Sequence, residues 1–321
     1  MSGSKTVKNQ LFDQHILSIE EDFSNTISFI GHIKSDLKQG DLSTLKGRDE
    51  WRIARVTTNS GQIITEWADG GKFTQVWDNR ESIFENIIGP FANTTSTLFD
   101  GINDYVDLQD THQYDNATAF SIGLWVKPQN TSVQRSMFSK AQSTGSILGY
   151  NFMHDSSGRL FVQLRATSQL GQHTFTTSTL TSGVFQFVFF TYSGGQNMNG
   201  LRAYINAVVG TIPTSFTITN TWLFGQSTSI GARDGNTQFF SGNLDEVTVW
   251  TKSFTQAEVT ELYNNGVPTD PSLHSAAGGG ALVSHYRMGD GDSFPTIVDN
   301  KGSANGTMVN MGSEDFVTDV P

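Results

Sequence analysis

The 321-residue chain contains no cysteine, and charged residues make up only 16% of it. Without cysteine it has no disulfide framework, no thiolate metal ligand and no cysteine nucleophile. Twenty basic residues stand against 31 acidic ones, a formal charge of −11, whereas a nucleic-acid binder presents basic residues to phosphate. No apolar run reaches the length of a membrane-spanning helix. We therefore expect neither nucleic acid nor a membrane among the partners of this protein.

Glycine and phenylalanine are abundant, with 32 and 23 residues. Frequent glycine, threonine, serine and asparagine are typical of short strands joined by tight turns. After residue 96, strand-like segments follow one another closely, with turn sequences at 155–158, 193–195 and 234–236 between them. Many strands at near-regular spacing predict a β-sandwich or a barrel.

Two segments of this region carry more local detail. The segment 120–126 alternates, which places four apolar residues on one strand face: Phe120, Ile122, Leu124 and Val126. Further on, Thr255 and Glu258 have the spacing of a helical capping box, and Gly266 suits a helix stop. One short helix is therefore predicted within an otherwise β-rich region.

The first 95 residues have a different texture. Within 11–39, apolar residues three or four apart predict one amphipathic helix, and 51–67 predicts a hairpin that turns at 59–61, followed by a strand at 73–77. A region this small buries little core alone, so we interpret 1–95 as a docking and assembly region. Its candidate assembly residues are large and apolar: Phe12, Ile16, Phe23, Trp67 and Trp77.

Five motifs then occur in order: FDGINDYV (99–106), FSIGLWVKP (120–128), LRAYIN (201–206), FSGNLDEVTVW (240–250) and AEVTELYNNG (257–266). Through them the chain resembles the concanavalin A-like, laminin G-like jellyroll modules, including the pentraxin branch, although Phe185 stands where these modules usually have tryptophan. The resemblance implies an all-β fold with a laminin G-like jellyroll β-sandwich over 96–270. The smaller mixed helix and hairpin region precedes it, and a tail, 271–321, packs on it.

The segments 65–80, 286–292 and 306–311 resemble sequences that flank such modules in tailed-bacteriophage virion proteins. The N-terminal ten residues also lack the apolar segment of a secretory signal, and the absence of cysteine suits folding in a cytoplasm. We therefore expect a non-enzymatic virion structural protein, made in the host cytoplasm and located in the virion as a capsid decoration, head fibre, neck or tail component.

In this interpretation residues 1–95 bind other virion proteins, and the jellyroll faces outward, where host-surface glycans are further partners. A homo-oligomer is expected, with a trimer as the form common among virion fibres. The alternative is a carbohydrate-binding adhesin domain of a bacterial surface protein. The two alternatives share a lectin-like jellyroll and differ in where the protein is displayed.

Calcium is the candidate cofactor, in a structural role. Hard cations bind carboxylate, amide and carbonyl oxygens, and the candidate ligands are Asp100, Asn103 and Asp245, with Asp234 as a weaker one. Asp234 falls where the pentraxin calcium loop would lie, but the acidic cluster of that loop is missing here. The competing interpretation is that these aspartates hydrogen-bond to turn amides.

Sugar binding needs aromatic surfaces beside planar polar groups, and the candidate residues are Trp222, Tyr150 and Arg165. Catalysis is not predicted. A glycosidase needs two carboxylates that face each other across a cleft, but after residue 96 glutamate occurs only at positions 246, 258, 261 and 314.

Overall fold

The computed structural model describes residues 91–142, 149–166, 168–214, 216–219 and 226–321, together with the backbone of five N-terminal strands. The chain divides into two compact units, Met1–Ala92 and Asn93–Pro321. In the first unit the strands pair in sequence order as an antiparallel sheet: β1 (Lys8–Phe12), β2 (Ile16–Asp22), β3 (Ile27–Lys34), β4 (Trp51–Asn59) and β5 (Gln62–Trp67).

The helix predicted for 11–39 is wrong, because β1, β2 and β3 occupy this segment. The apolar residues Ile27, Phe29 and Ile33 are separated by even numbers of residues, which is the spacing of one strand face. The same segment also contains apolar residues three or four apart, so its pattern fits a strand and a helix equally well. The predicted 51–67 hairpin is confirmed, since β4 and β5 pair antiparallel with Asn59 opposite Gln62.

The assembly role of the N-terminal apolar residues stays a prediction. Phe12 of β1 is the register partner of Ile16 of β2, and Trp67 ends β5. Phe23, Trp77 and the strand predicted at 73–77 lie outside the described residues.

In the described part of the second unit, two eight-stranded antiparallel sheets form a sandwich, as predicted. The first sheet runs β15-β14-β13-β8-β17-β6-β21, with β18 also paired to β17. Its strands are β6 (Ser96–Asp100), β8 (Phe120–Pro128), β13 (Gln186–Tyr192), β14 (Leu201–Ile205), β15 (Val208–Val209), β17 (Ser241–Trp250), β18 (Leu282–Tyr286) and β21 (Phe316–Val317).

The second sheet runs β12-β11-β10-β9-β16-β7-β20-β19. Its strands are β7 (Tyr105–Asp107), β9 (Arg135–Ala141), β10 (Gly149–His154), β11 (Arg159–Ala166), β12 (Gln169–Thr179), β16 (Ser229–Ile230), β19 (Thr296–Ile297) and β20 (Gly306–Val309). The predicted tail thus contributes strands to both sheets: β18 and β21 to the first, β19 and β20 to the second.

One hydrophobic cluster fills the space between the sheets. The four alternating residues predicted for β8 all belong to it and are fully buried. The Phe120 ring lies 5.0 Å from that of Tyr150 and 4.9 Å from that of Tyr114, and the Phe152 ring lies 4.8 Å from that of Phe190. The interior of the sandwich is therefore closed by stacked and tilted aromatic rings.

A second cluster lies on the outer face of the first sheet, beneath helix α1 (Gln256–Tyr263). Its members include Trp125, Phe187, Phe189, Trp250 and Leu262. The predicted capping box is present, but the helix ends earlier than predicted, at Tyr263, and the left-handed residue that follows is Asn264.

Short 3-10 turns complete the described structure, at Met198–Gly200, Asn264–Gly266, Pro271–Leu273, Ser275–Gly280 and Ser313–Asp315. Among the described residues, no helix combines the length and apolar character needed to cross a bilayer.

We expect a fragment of residues 93–321 to fold without the first unit, because both hydrophobic clusters and every strand of the sandwich lie within it. Circular dichroism and urea unfolding would measure this. A cooperative transition is the expected result, and a fragment without one would contradict the division of the chain at this point.

Candidate functional site

The side chains of β11 alternate between the inner and the outer face of the second sheet. Leu160, Val162 and Leu164 are fully buried in the core, whereas the alternate residues of the strand, beginning with Arg159, are partly exposed. Such alternation is expected when one face of a strand packs on a core and the other meets solvent.

We name the β11–β12 face after six residues that share the outer side of these two strands: Phe161, Gln163, Arg165, Leu170, Gln172 and Thr174. Phe161 lies opposite Thr174, Gln163 opposite Gln172, and Arg165 opposite Leu170. Leu170 and Gln172 are exposed, and the other four are partly exposed. At roughly 3.3 Å per residue, the three β11 positions cover about 13 Å, the length of a short oligosaccharide.

A row of polar side chains continues from Gln163 across the same outer side of the sheet. In register it passes through Asn151 of β10, Ser139 of β9, Ser229 of β16 and Asp107 of β7. The described residues provide no hydrogen-bond partner for two buried atoms of this row, Gln163 Oε1 and Ser229 Oγ. A buried polar atom without a partner is costly, so both positions favour a water or a ligand hydroxyl.

The segment 233–238 covers the middle of this row. The side chain of Asn151 donates to Gln238 Oε1 at 2.9 Å, and Gly235 lies against the ring of Tyr105, where a Cβ would come within 2.7 Å. Asn151 and Ser139 are consequently buried. The row is therefore covered in its middle and partly exposed at its two ends, Gln163 on the β11–β12 face and Asp107 on β7.

Of the three predicted sugar-contacting residues, the structure places Arg165 on the β11–β12 face and leaves Trp222 outside the described residues. The prediction for Tyr150 is wrong, because its ring is fully buried and its hydroxyl donates to the carbonyl of His112 at 2.6 Å. The sequence analysis missed Phe161 and Gln163, although the alternation of RLFVQLRA (159–166) was a usable signal for both.

We expect Tyr150→Phe to lower the free energy of unfolding by about 1–2 kcal/mol, because the carbonyl of His112 would lose a buried donor. Urea unfolding measures this. The affinity of the variant for a glycan should equal that of the unsubstituted chain. A weaker affinity in a variant that is fully folded would indicate that Tyr150 contacts the glycan.

Calcium binding stays a prediction, but the structure separates two of the predicted ligands, Asp100 and Asp245. Ser241 of β17 pairs with Asp100, so Asp245 lies four residues, about 13 Å, further along the strand. Asp100 Oδ1 accepts from the backbone amides of Ile102 and Asn103, as the turn interpretation predicts. Asp234 lies in the 233–237 turn. Within the described ranges, no three histidine or acidic side chains are grouped to hold a metal ion.

Asp245 and Glu246 instead belong to a β-bulge in β17. The register with β8 shifts between Asp245 and Thr248, and Glu246 has the left-handed φ of 46°, which is unfavourable for a residue with a side chain. Glu246 Oε2 accepts from His285 Nε2 at 2.5 Å, and Oε1 accepts from Arg287 Nε at 3.1 Å. These bonds to β18 and the residue after it fasten the tail to the first sheet.

The neighbouring carboxylate fastens the start of the unit. Asp245 Oδ2 accepts from Asn93 Nδ2 at 2.8 Å and Oδ1 from the amide of Glu246 at 2.9 Å, while Asp290 accepts from the amide of Thr94 at 2.8 Å. Asp245 and Glu246 are both buried. Glu246 lines a cavity with Trp125 and Leu262, but its two carboxylate oxygens are already engaged by His285 and Arg287.

Burial raises the pKa of Asp245 well above its usual value, and the charges of Glu246 and Asp290 act in the same direction. Burial also acts to raise the pKa of Asp290, but hydrogen bonds from Thr94 and the charge of Arg287 bring it below its usual value. The contributions of these two aspartates to the free energy of unfolding should therefore change with pH in opposite directions.

We expect Asp245→Asn to become more stable relative to the unsubstituted chain as pH rises from about 4. In that range the folded chain holds a proton on Asp245 that the unfolded chain releases, so its stability falls with pH, and the variant lacks this loss. Urea unfolding between about pH 4 and pH 8 measures it.

Asp290→Asn is the matched control. A carboxyl with a lowered pKa stabilises the fold fully above about pH 4 and loses this contribution only below it, so the stability deficit of this variant should stay nearly constant between about pH 4 and pH 8. Parallel curves for both variants would contradict the assigned environments.

A family model described as the concanavalin A-like lectin/glucanases superfamily matches residues 100–260. The match spans half of the chain and includes the strands that carry the β11–β12 face. The chain belongs to this superfamily. A search of curated proteins found no match.

Three solved structures are similar to the chain. A candidate carbohydrate-binding protein from Bacteroides ovatus is 15% identical, with a TM-score of 0.49 over 96% of this chain and 78% of its own. A heptameric SAP-like pentraxin from Limulus polyphemus is 14% identical, with a TM-score of 0.43 over 67% and 95%.

The third, the CBM40 module of the Ruminococcus gnavus IT-sialidase, bound to sialyllactose, is 12% identical, with a TM-score of 0.36 over 46% and 83%. These three likenesses concern the fold and assign no ligand to this chain.

Proposed function

We propose that the protein binds carbohydrate through the β11–β12 face, without hydrolysing it. One observation carries the proposal: an aromatic ring, two planar amides and a guanidinium share one exposed sheet face, from Phe161, Gln163, Gln172 and Arg165. An apolar ring face with neighbouring amides and hydroxyls matches the alternating C–H and O–H surfaces of a sugar. Membership of a lectin and glucanase superfamily supports the same ligand class.

The absence of hydrolysis is part of the proposal because none of the six residues of the β11–β12 face is acidic. Glycoside hydrolysis commonly uses two carboxylates on either side of the scissile bond. A ligand on this face would meet amide, hydroxyl, guanidinium and aromatic groups, which bind and orient a sugar but provide no general acid.

We expect Phe161→Ala and Gln163→Ala each to weaken glycan binding by about threefold to tenfold, the effect of losing one ring contact or one hydrogen bond. A glycan array on the full chain would select the glycan, and calorimetry would give the affinities. Leu273→Ala is the matched control, since Leu273 is 51% exposed but lies in the 3-10 turn Pro271–Leu273, outside the β11–β12 face. Full affinity in both face variants, or loss in the control, would contradict the proposal.

We further propose that the sandwich is displayed on a bacteriophage virion, with residues 1–92 as the attachment unit. The division into two units and the complete lack of cysteine support this assignment, because a particle assembled in a reducing cytoplasm gains nothing from disulfides. Electron microscopy of purified particles with an antibody to the sandwich would test it. Labelled particles are expected, whereas labelling only of bacterial surfaces would favour the adhesin alternative.

A further inference from the structure

Charge is unevenly distributed along this acidic chain. Between residues 116 and 233 the sequence holds seven lysines and arginines and a single acidic residue, Asp155, a net charge of +6. The rest of the chain holds 13 basic and 30 acidic residues, a net charge of −17. The positive segment contains strands β8 to β16 and therefore the whole β11–β12 face.

Most cations of the positive segment already have a partner. Lys127 pairs with Asp319, Lys140 with Asp110, and Arg159 with Asp155. Arg135 donates to the backbone carbonyls of Gly101 and Phe239. The charged groups of these four side chains are therefore already bound by other residues of the protein.

Arg165 and Arg233 have no such partner among the described residues, and of the two only Arg165 lies on the β11–β12 face. No hydrogen bond or ion pair joins the Arg165 side chain to the described residues, and it is partly exposed near the end of β11, beside the edge strand β12. Its register partners, Gly149 and Leu170, carry no charge. The segment 143–148, which leads into Gly149, also contains no charged residue.

A guanidinium that has no partner in the described part of the chain, next to amides and an aromatic ring, is suited to bind an anionic group. Its planar fork donates two parallel hydrogen bonds to a carboxylate or a sulfate. Gln163, two residues earlier on the same face, can bind a neighbouring hydroxyl of the same sugar. In a protein with a charge of −11, such a site has to be local, because the overall field repels anions.

We propose that the β11–β12 face selects acidic glycans, with Arg165 binding the carboxylate or sulfate of the sugar. This inference rests on the proposed carbohydrate-binding function and adds the ligand class to it. The shared chemistry is an anionic oxygen pair on a sugar ring, and it has two sources, uronic acids and sulfated sugars.

Calorimetry on the full chain tests the inference with four polysaccharides. Polygalacturonate provides carboxylates, its fully methyl-esterified form provides the same backbone without charge, chondroitin sulfate adds sulfate groups, and dextran is a neutral reference. We expect binding to polygalacturonate, chondroitin sulfate or both, with affinity falling as salt is raised. Methyl esterification should weaken binding at least about tenfold.

Arg165→Gln should remove this preference for the acid form, and Arg165→Lys should restore it only in part, because an ammonium lacks the planar fork. Arg202→Gln is the matched control: Arg202 lies in the same positive segment but on β14 of the other sheet, where it donates to the carbonyls of Asn199 and Leu201. The control should bind within about twofold of the unsubstituted chain.

The outcomes separate the two proposals. Equal binding of the acid and its ester, or full acid binding by Arg165→Gln, would overturn the inference while the carbohydrate-binding function stands. Binding lost equally in Arg165→Gln and Arg202→Gln would show general charge attraction and also overturn it. No binding of any of the four polysaccharides, together with a blank glycan array, would overturn both.

Discussion

The structure depends on one constraint: each sheet of the sandwich must bury one face against the other. Alternation along β8 and β11 commits every second side chain to the aromatic core, which leaves only the outer faces and the edges for binding. Helix α1 and the second cluster occupy the outer face of the first sheet. On the second sheet, the 233–238 segment covers the middle, and outer surface is exposed at the β11–β12 face and, at the opposite end, around Thr307 of β20.

The buried acidic residues have a structural explanation. Glu246 is held in an unfavourable backbone conformation, and its carboxylate is satisfied by His285 and Arg287. Removing one partner of such a buried network leaves an uncompensated charge, which costs several kcal/mol. The network links β17 to the tail and to the residues that begin the unit, so the tail is part of the sandwich. These carboxylates join β17 to the start and the tail of the unit, in the scaffold that positions the β11–β12 face.

Much of the sandwich could be predicted from the sequence, because its strands carry ordered motifs and clear alternation, as in β8. The failures share a physical reason, which is that pairing between distant strands is not encoded locally. Tyr150 could be placed on a strand, but only the register of β10 shows that its side faces the core. Asp100 and Asp245 are predicted from the sequence to share an ion, whereas the pairing of β17 with β6 places them about 13 Å apart along the strand. The segment 11–39 carries both a strand-like and a helix-like spacing of apolar residues, and pairing with neighbouring strands determines that it forms strands.

The central claim is that the β11–β12 face is the glycan-binding surface. It is tested most directly by NMR of the full chain labelled with ¹⁵N in its glutamine side-chain amides, recorded with and without a glycan that the chain binds. The account predicts shifts at Gln163 and Gln172, which lie on this face, and none at Gln256, which begins α1 on the other sheet. Shifts at Gln256 with unchanged Gln163 and Gln172 signals would contradict it.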